Sequence, residues 1–295
     1  MVEYNTIIIG AGISGITCAI YLKRAGLKAL IIENNIPGGQ LNKASVIENY
    51  PGYVAVTGSE LSSLLLEQVS KNEIDMIYDE IDSIDYNNKV VTMGNIKYHY
   101  QYLVFASGRR ERLLGLENED NLIGKGISLC ATCDGALYKG QDVIVVGGGS
   151  SAVSEAIYLS KLCHKVYLVY RGEHLRAEVI LQDRLEDVSN IEVIYGSNVI
   201  SYLTLDDKVV GVKLDNGVKI DASCIFLAIG YIPNSELFIG NKDNGYIVVE
   251  ESGKTSIDDV YACGDVVLKN VYQLVTASND GVLVASSIIN DSQSR

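Results

Sequence analysis

The sequence predicts an α/β protein made of two dinucleotide-binding-type domains, the second inserted into the first. Three observations predict it. A glycine turn joins an apolar strand to a helix near the start, the same unit recurs in mid-chain, and a late apolar strand returns to the first domain.

The first unit begins with residues 4–9, a short apolar run suited to a buried parallel strand. Gly10-Ala11-Gly12-Ile13-Ser14-Gly15 follows, then a helical stretch over residues 16–24 that Gly26 ends. Residues 29–32 form a second strand closing on Glu33. A bare GxGxxG pattern is weak. In this setting the three glycines serve distinct ends, namely a tight turn, close approach to a pyrophosphate, and helix–strand packing. Glu33 is placed to accept hydrogen bonds from an adenosine ribose.

The second unit repeats this order. Residues 142–146 are the strand, Gly147-Gly148-Gly149-Ser150-Ser151-Ala152 the turn, 152–162 a helix and 165–169 the next strand. Gly10 and Gly147 stand 137 positions apart (147 − 10), and the position equivalent to Glu33 is Tyr170. The blander reading of this copy is a retained fold whose nucleotide site has decayed. Between the units lie an amphipathic helix over 61–69 and alternating strands through Ile84, Val90 and Tyr98. Two buried strands ending in small residues, 102–108 and 225–230, mark the crossings between domains, and 260–265 brings the chain back. The pattern is two Rossmann-like domains of three-layer β-β-α type. The first takes residues 1–112 and 241–295, the inserted one 113–240.

Cys130-Ala131-Thr132-Cys133-Asp134 lies between the two glycine turns. Two cysteines at this spacing can close a small disulfide ring or bind a metal, and a metal site would need a second pair. Cys18, Cys163, Cys224 and Cys263 stand alone beside three histidines, so redox use is the better reading and no metal is expected. Asp134 supports it, because thiol–disulfide exchange needs a proton donor for the leaving thiolate. A net charge of −13 argues against nucleic-acid binding, although ordinary solubility explains it as well. No apolar stretch is long enough for a bilayer and the start does not read as a signal peptide, so a reducing cytoplasm is expected.

Taken together, the first glycine turn, Pro37-Gly38-Gly39-Gln40, Glu48-Asn49-Tyr50-Pro51-Gly52, the Cys130–Asp134 motif, residues 147–152 and residues 261–265 closely resemble the low-molecular-weight thioredoxin reductases, a flavoprotein family. The resemblance implies FAD in the first domain, held by Gly10, Gly12, Ser14, Gly15, Glu33, Gly39, Gln40, Asn49, Gly108, Gly264, Asp265 and Gln273. It implies a redox-active disulfide in the second domain, with Cys133 facing the flavin, Cys130 attacking thioredoxin and Asp134 serving as acid and base. A homodimer also follows from it.

The electron donor is where the chain departs from that family. NADPH-dependent members carry His-Arg-Arg and a further arginine after the second unit's second strand, a grip for the 2′-phosphate. Here the stretch reads Tyr170-Arg171-Gly172-Glu173-His174-Leu175-Arg176. Arg171 and Arg176 remain, beside the candidate pyrophosphate contacts Gly147, Gly149, Ser151 and Ala152. Each lost charge-assisted contact costs roughly 1.5–3 kcal/mol. NADH is not favoured either, since Tyr170 stands where a ribose-binding acid belongs. Tyr272 replaces a basic residue and Asn279 a glycine near the flavin. The eroded clamp is similar to that of the clostridial ferredoxin-dependent branch, and reduced ferredoxin is the favoured donor, with Arg109, Arg110, Arg112 and Lys97 as a basic docking patch. NADPH and NADH are the alternatives, and a non-enzymatic FAD-binding redox sensor a further one.

Overall fold

The computed structural model describes residues 2–44 and 46–294. The chain divides into two compact units, Met1–Arg110 with Ile232–Arg295, and Glu111–Tyr231. Residues 232–240, expected in the inserted domain, therefore belong to the first. Their bonds say why. Asn234 donates its N–H to Gly108 O at 3.0 Å, and Phe238 is buried with its ring 5.3 Å from that of Phe105. At the other boundary, residues 111 and 112 fall in the inserted unit, where Arg112 N–H bonds Gly230 O at 2.8 Å.

The first unit is built on a seven-stranded sheet. Its strands run Asp75–Tyr78, Ala29–Glu33, Val2–Ile9, Ile96–Phe105, Val90–Met93 and Ser83–Asp85, and Val260–Ala262 also pairs with Ile96–Phe105. The Val2–Ile9, Ala29–Glu33, Asp75–Tyr78 and Val260–Ala262 pairings are parallel, whereas Ser83–Asp85 and Val90–Met93 form an antiparallel extension. Ile8 and Val104 face the helices Ile13–Arg24 and Leu274–Gln293. Ile7, Ile9 and Phe105 face the other side, with Val91, Phe238 and Ile247. Both sheet faces are covered, which is why its central strands read as continuous apolar runs.

Two helices are longer than expected. Gly12 caps the first, which starts at Ile13 rather than residue 16. The second spans Gly58–Lys71 because Thr57 and Glu60 form a reciprocal capping box.

The inserted unit centres on a five-stranded parallel sheet in the order Ile191–Ile194, Lys165–Val169, Asp142–Val146, Cys224–Leu227 and Ile127–Ser128. On one face, Val143, Val145 and Phe226 pack against the helix Ser150–Ser160 through Ala152, Ala156 and Leu159. On the other, Ile144, Val146 and Ile225 meet Val199, Val212 and Leu214 of the three-stranded antiparallel sheet Val199–Leu205, Lys208–Leu214 and Lys219–Asp221. These are the β, β and α layers.

Glu119 ties this unit together. Only 3% exposed, it accepts the N–H groups of Leu114 at 3.0 Å, Gly115 at 2.6 Å and Leu116 at 3.3 Å, and the Tyr202 hydroxyl. Burial and this carboxylate push the Tyr202 phenol far above its ordinary value. Glu119→Ala would strand three amides and a phenol, and a loss of about 3 kcal/mol is expected. Urea unfolding followed by circular dichroism measures it, and an unchanged midpoint would refute the assignment.

Candidate functional site

The thiol pair comes first. Cys130 and Cys133 are joined as a disulfide, across a single turn of helix, Ala131–Asp134. Cys130 is the residue that caps this turn, and its Sγ accepts the Cys133 N–H at 3.2 Å. Thr132 Oγ1 lies 3.3 Å from the same sulfur. A donor aimed at sulfur favours its thiolate form. Cys130 is 9% exposed, and Cys133 is exposed.

Ser128, buried at 3% exposure, belongs to no motif that the sequence displays. Its Oγ accepts the Cys130 N–H at 3.1 Å and donates to Asp134 Oδ2 at 2.7 Å. One hydroxyl thus fixes both the first cysteine's backbone and the acid. Behind them, Tyr138 and Cys224 interact. Burial drives the Cys224 thiol up to about 12, the Tyr138 hydrogen bond opposing this and the Asp134 charge adding to it in smaller measure, so it stays protonated and inert. Cys18, Cys163 and Cys263 are free and buried as well. Among the described residues no group of three or more His, Cys, Asp or Glu could hold a metal ion.

In the first unit the glycine turn is crowded on one side and open on the other. Gly10, at φ +108°, could not carry a side chain, because a Cβ there would come 2.4 Å from Ala106 O. A Cβ on Gly15 would meet Gly10 O at 2.1 Å, and one on Gly264 would meet Ser14 Oγ at 2.3 Å. Gly12 is different: nothing lies within 4 Å of its Cβ position. It begins the helix Ile13–Arg24 without a side-chain cap, so no capping side chain takes up the N-terminal amides. Gly39 sits beside it, its Cβ position 3.6 Å from Gly12 Cα. Glu33 accepts the Ala11 N–H at 2.8 Å and the Asn35 N–H at 2.9 Å, and each oxygen keeps a further lone pair.

The remaining expected cofactor residues converge on the same unit. Asn49 Nδ2 donates to Gln273 Oε1 at 3.2 Å, across 224 positions of sequence. Gln40 Nε2 donates to Arg109 O at 2.9 Å, and open space surrounds the Cβ position of Gly108. Asp265 pairs with Arg109 Nε at 3.0 Å and lies 3.7 Å from Lys269 Nζ, which also bonds Asp280 at 2.7 Å. Tyr272 is flanked by both cations, its ring centre 4.5 Å from the Arg109 guanidinium and 5.5 Å from Lys269. Arg109 and Lys269 thus put two positive charges beside the Tyr272 ring. Arg109 is correspondingly not part of an exposed basic patch, and Arg110 is paired with Glu236 at 2.7 Å.

In the inserted unit, Gly147 adopts φ +145° beneath Ala228 O, and Ala152 is buried in the core. Gly149 begins the helix Ser150–Ser160 with open space at its Cβ position. Ser151, Arg171 and Arg176 are exposed.

The model for pyridine nucleotide-disulphide oxidoreductases matches residues 4–281. A thioredoxin reductase of Listeria monocytogenes is 38% identical over 294 residues, covering 96% of this chain and 92% of that protein. The solved thioredoxin reductase of Lactococcus lactis superposes with a TM-score of 0.94 at 31% identity, covering 99% of this chain and 100% of that one. The ferredoxin-flavin thioredoxin reductase of Clostridium acetobutylicum is also similar, with a TM-score of 0.55, 28% identity and 99% of each chain covered. The chain belongs to the pyridine nucleotide-disulphide oxidoreductase family, among the low-molecular-weight thioredoxin reductases.

Proposed function

We propose that this protein reduces thioredoxin through the Cys130–Cys133 disulfide, with FAD as its cofactor and reduced ferredoxin as its donor. The observation that carries the reading is the disulfide, exposed at Cys133, with Asp134 held by Ser128 in a chain whose first glycine turn is open.

The first unit fits FAD. Gly12 offers an unobstructed approach for a pyrophosphate, Glu33 keeps lone pairs for ribose hydroxyls, and Asp265, Gln40, Asn49 and Gln273 supply polar contacts further along. When bound, FAD supplies the electron pair that opens the disulfide. The protein's own groups do the rest. In the reduced pair the Cys130 thiolate, stabilised by the Cys133 N–H, attacks one sulfur of oxidised thioredoxin. An S–S bond forms between the two proteins, the thioredoxin disulfide breaks, and Asp134, having taken the Cys130 thiol proton, gives it to the departing thiolate. Cys133 then attacks Cys130 Sγ, its own thiol proton passing through Asp134 to the second departing thioredoxin sulfur. The Cys130–Cys133 bond re-forms and thioredoxin leaves with two electrons and two protons gained.

Ferredoxin is favoured as donor because Gly172 offers no guanidinium and Glu173 adds a like charge where a 2′-phosphate would sit. The similarity to the clostridial ferredoxin-flavin enzyme supports this. A second reading, NADPH, draws on the intact glycine turn at 147–149 and on Arg171 and Arg176. The oxidised holoenzyme is to be mixed anaerobically with reduced ferredoxin, NADPH and NADH in parallel. Ferredoxin is expected to bleach the flavin absorbance while both nucleotides leave it unchanged. Rapid bleaching by micromolar NADPH or NADH would overturn the choice of donor.

A further inference from the structure

The two glycine turns can be compared position by position, since 137 positions separate equivalent residues (148 − 11 and 170 − 33). In the first, the residue at the strand end is Glu33, whose carboxylate reaches the Ala11 N–H and leaves the turn open. In the second, the strand end is Tyr170 and the counterpart of Ala11 is Gly148. A Cβ on Gly148 would come 2.4 Å from the Tyr170 ring. A Cβ on Gly172 would come 2.7 Å from the same ring and 2.9 Å from its hydroxyl oxygen. The phenol therefore packs against two residues that have no side chains, and it is 8% exposed.

We infer that the ribose side of the second dinucleotide turn is closed to nucleotides by the chain itself, with Tyr170 occupying the room a ribose would need, while the Gly149 side stays open. Gly172 is bare because the ring takes the space its side chain would fill. The plug is latched. Arg176 donates its backbone N–H to Gly148 O at 2.7 Å, and Glu178 donates its backbone N–H to Ser150 Oγ at 3.1 Å. The guanidinium of Arg176 lies 5.9 Å from the ring centre. From the opposite side, Ser197 N–H bonds Tyr170 O at 3.2 Å and Gly196 N–H bonds Gly172 O at 3.1 Å. Backbone bonds thus hold the segment on both flanks of the ring.

The chemistry that follows is a double exclusion. A ribose at the strand end meets an aromatic ring in place of the acid that would accept from its hydroxyls. A 2′-phosphate meets no side chain at 172, and an arginine cannot be restored there while the phenol stays in place. The two positions are therefore coupled, and repairing the clamp takes both changes. This inference rests on the donor reading for its consequence, since a closed second turn leaves electrons to enter by another route, but its geometry stands independently.

Isothermal calorimetry on the oxidised holoenzyme, with NADPH and NADH as titrants, tests it. The native protein and Gly172→Arg are expected to show no saturable heat up to millimolar nucleotide. Tyr170→Ser is expected to gain measurable binding of both nucleotides. Tyr170→Ser combined with Gly172→Arg should bind NADPH at least about tenfold more tightly than Tyr170→Ser alone, the worth of one charge-assisted contact. Micromolar binding by the native protein overturns the inference. So does a Gly172→Arg variant that binds as well as the double variant, or a folded Tyr170→Ser variant, with native flavin spectrum and melting temperature, that binds nothing. Calorimetry does not depend on which donor feeds the flavin. Silent titrations together with failure of reduced ferredoxin to bleach the flavin would sink the donor reading and leave the plug standing.

Discussion

Cys133→Ser is expected to lower thioredoxin turnover by at least about 10³-fold while the protein keeps its flavin and its fold. Serine is close in size to cysteine, and residue 133 is exposed, so packing changes little. What disappears is the second sulfur. Without it the electron pair has no disulfide to open, and a mixed disulfide once formed has no neighbour to resolve it. Cys130→Ser should be equally inactive, yet the two variants are distinguishable. With pre-reduced enzyme and oxidised thioredoxin, Cys133→Ser should accumulate a covalent complex through Cys130, visible on a non-reducing gel. Cys130→Ser should form little. The reverse pattern would exchange the roles of the two sulfurs, and residual turnover above about a tenth would remove the disulfide from the mechanism.

Gly10→Ala is expected to damage the first unit strongly. Gly10 holds φ +108°, where an alanine is strained, and its Cβ would press within 2.4 Å of the Ala106 carbonyl oxygen. That oxygen belongs to backbone whose own N–H bonds Ile9 O at 2.8 Å, so it has little freedom to retreat. Strain and overpacking of about 1–3 kcal/mol each are expected. The purified variant should be pale and unfold at a lower denaturant concentration. Gly12→Ala is the control, because Gly12 has an ordinary φ of −78° and empty space at its Cβ position. It should unfold like the native protein and lose flavin affinity alone. Equal flavin content and unfolding midpoints across all three proteins would refute the account of this turn.

The readability of the chain follows the physics of each element. The strands Asp142–Val146 and Lys165–Val169 lie where the apolar runs put them, since a strand covered on both faces has no alternative composition. The helix Leu274–Gln293 gives little sequence signal. Its buried face is made of Ala277, Gly281, Val284, Ala285 and Ile288, and small residues make a weak apolar period. Their smallness is explained by what they touch. A Cβ on Gly281 would come 2.4 Å from Ser14 O, so this helix lies almost on the backbone of the first.

The site is legible where a motif needs a special residue, as with the glycines and the cysteine pair. It is hidden where function rests on an ordinary residue in a special place. Ser128 looks like any serine until its hydroxyl is seen to join Cys130 and Asp134. Arg109 reads as one of three nearby arginines, and only the fold turns it toward Asp265 and Tyr272. In the sequence Tyr170 stands only as a missing acid. That it fills the space left by two glycines emerges from the path of residues 171–178.

The strand Ile96–Phe105 waits for its parallel partner Val260–Ala262 until the whole inserted unit has been made. During translation, the disulfide-bearing unit thus has all its strands on hand while the first unit still lacks both that edge and the helix Leu274–Gln293. The ribosome delivers the part that carries the sulfur pair before it completes the part that brackets it in sequence.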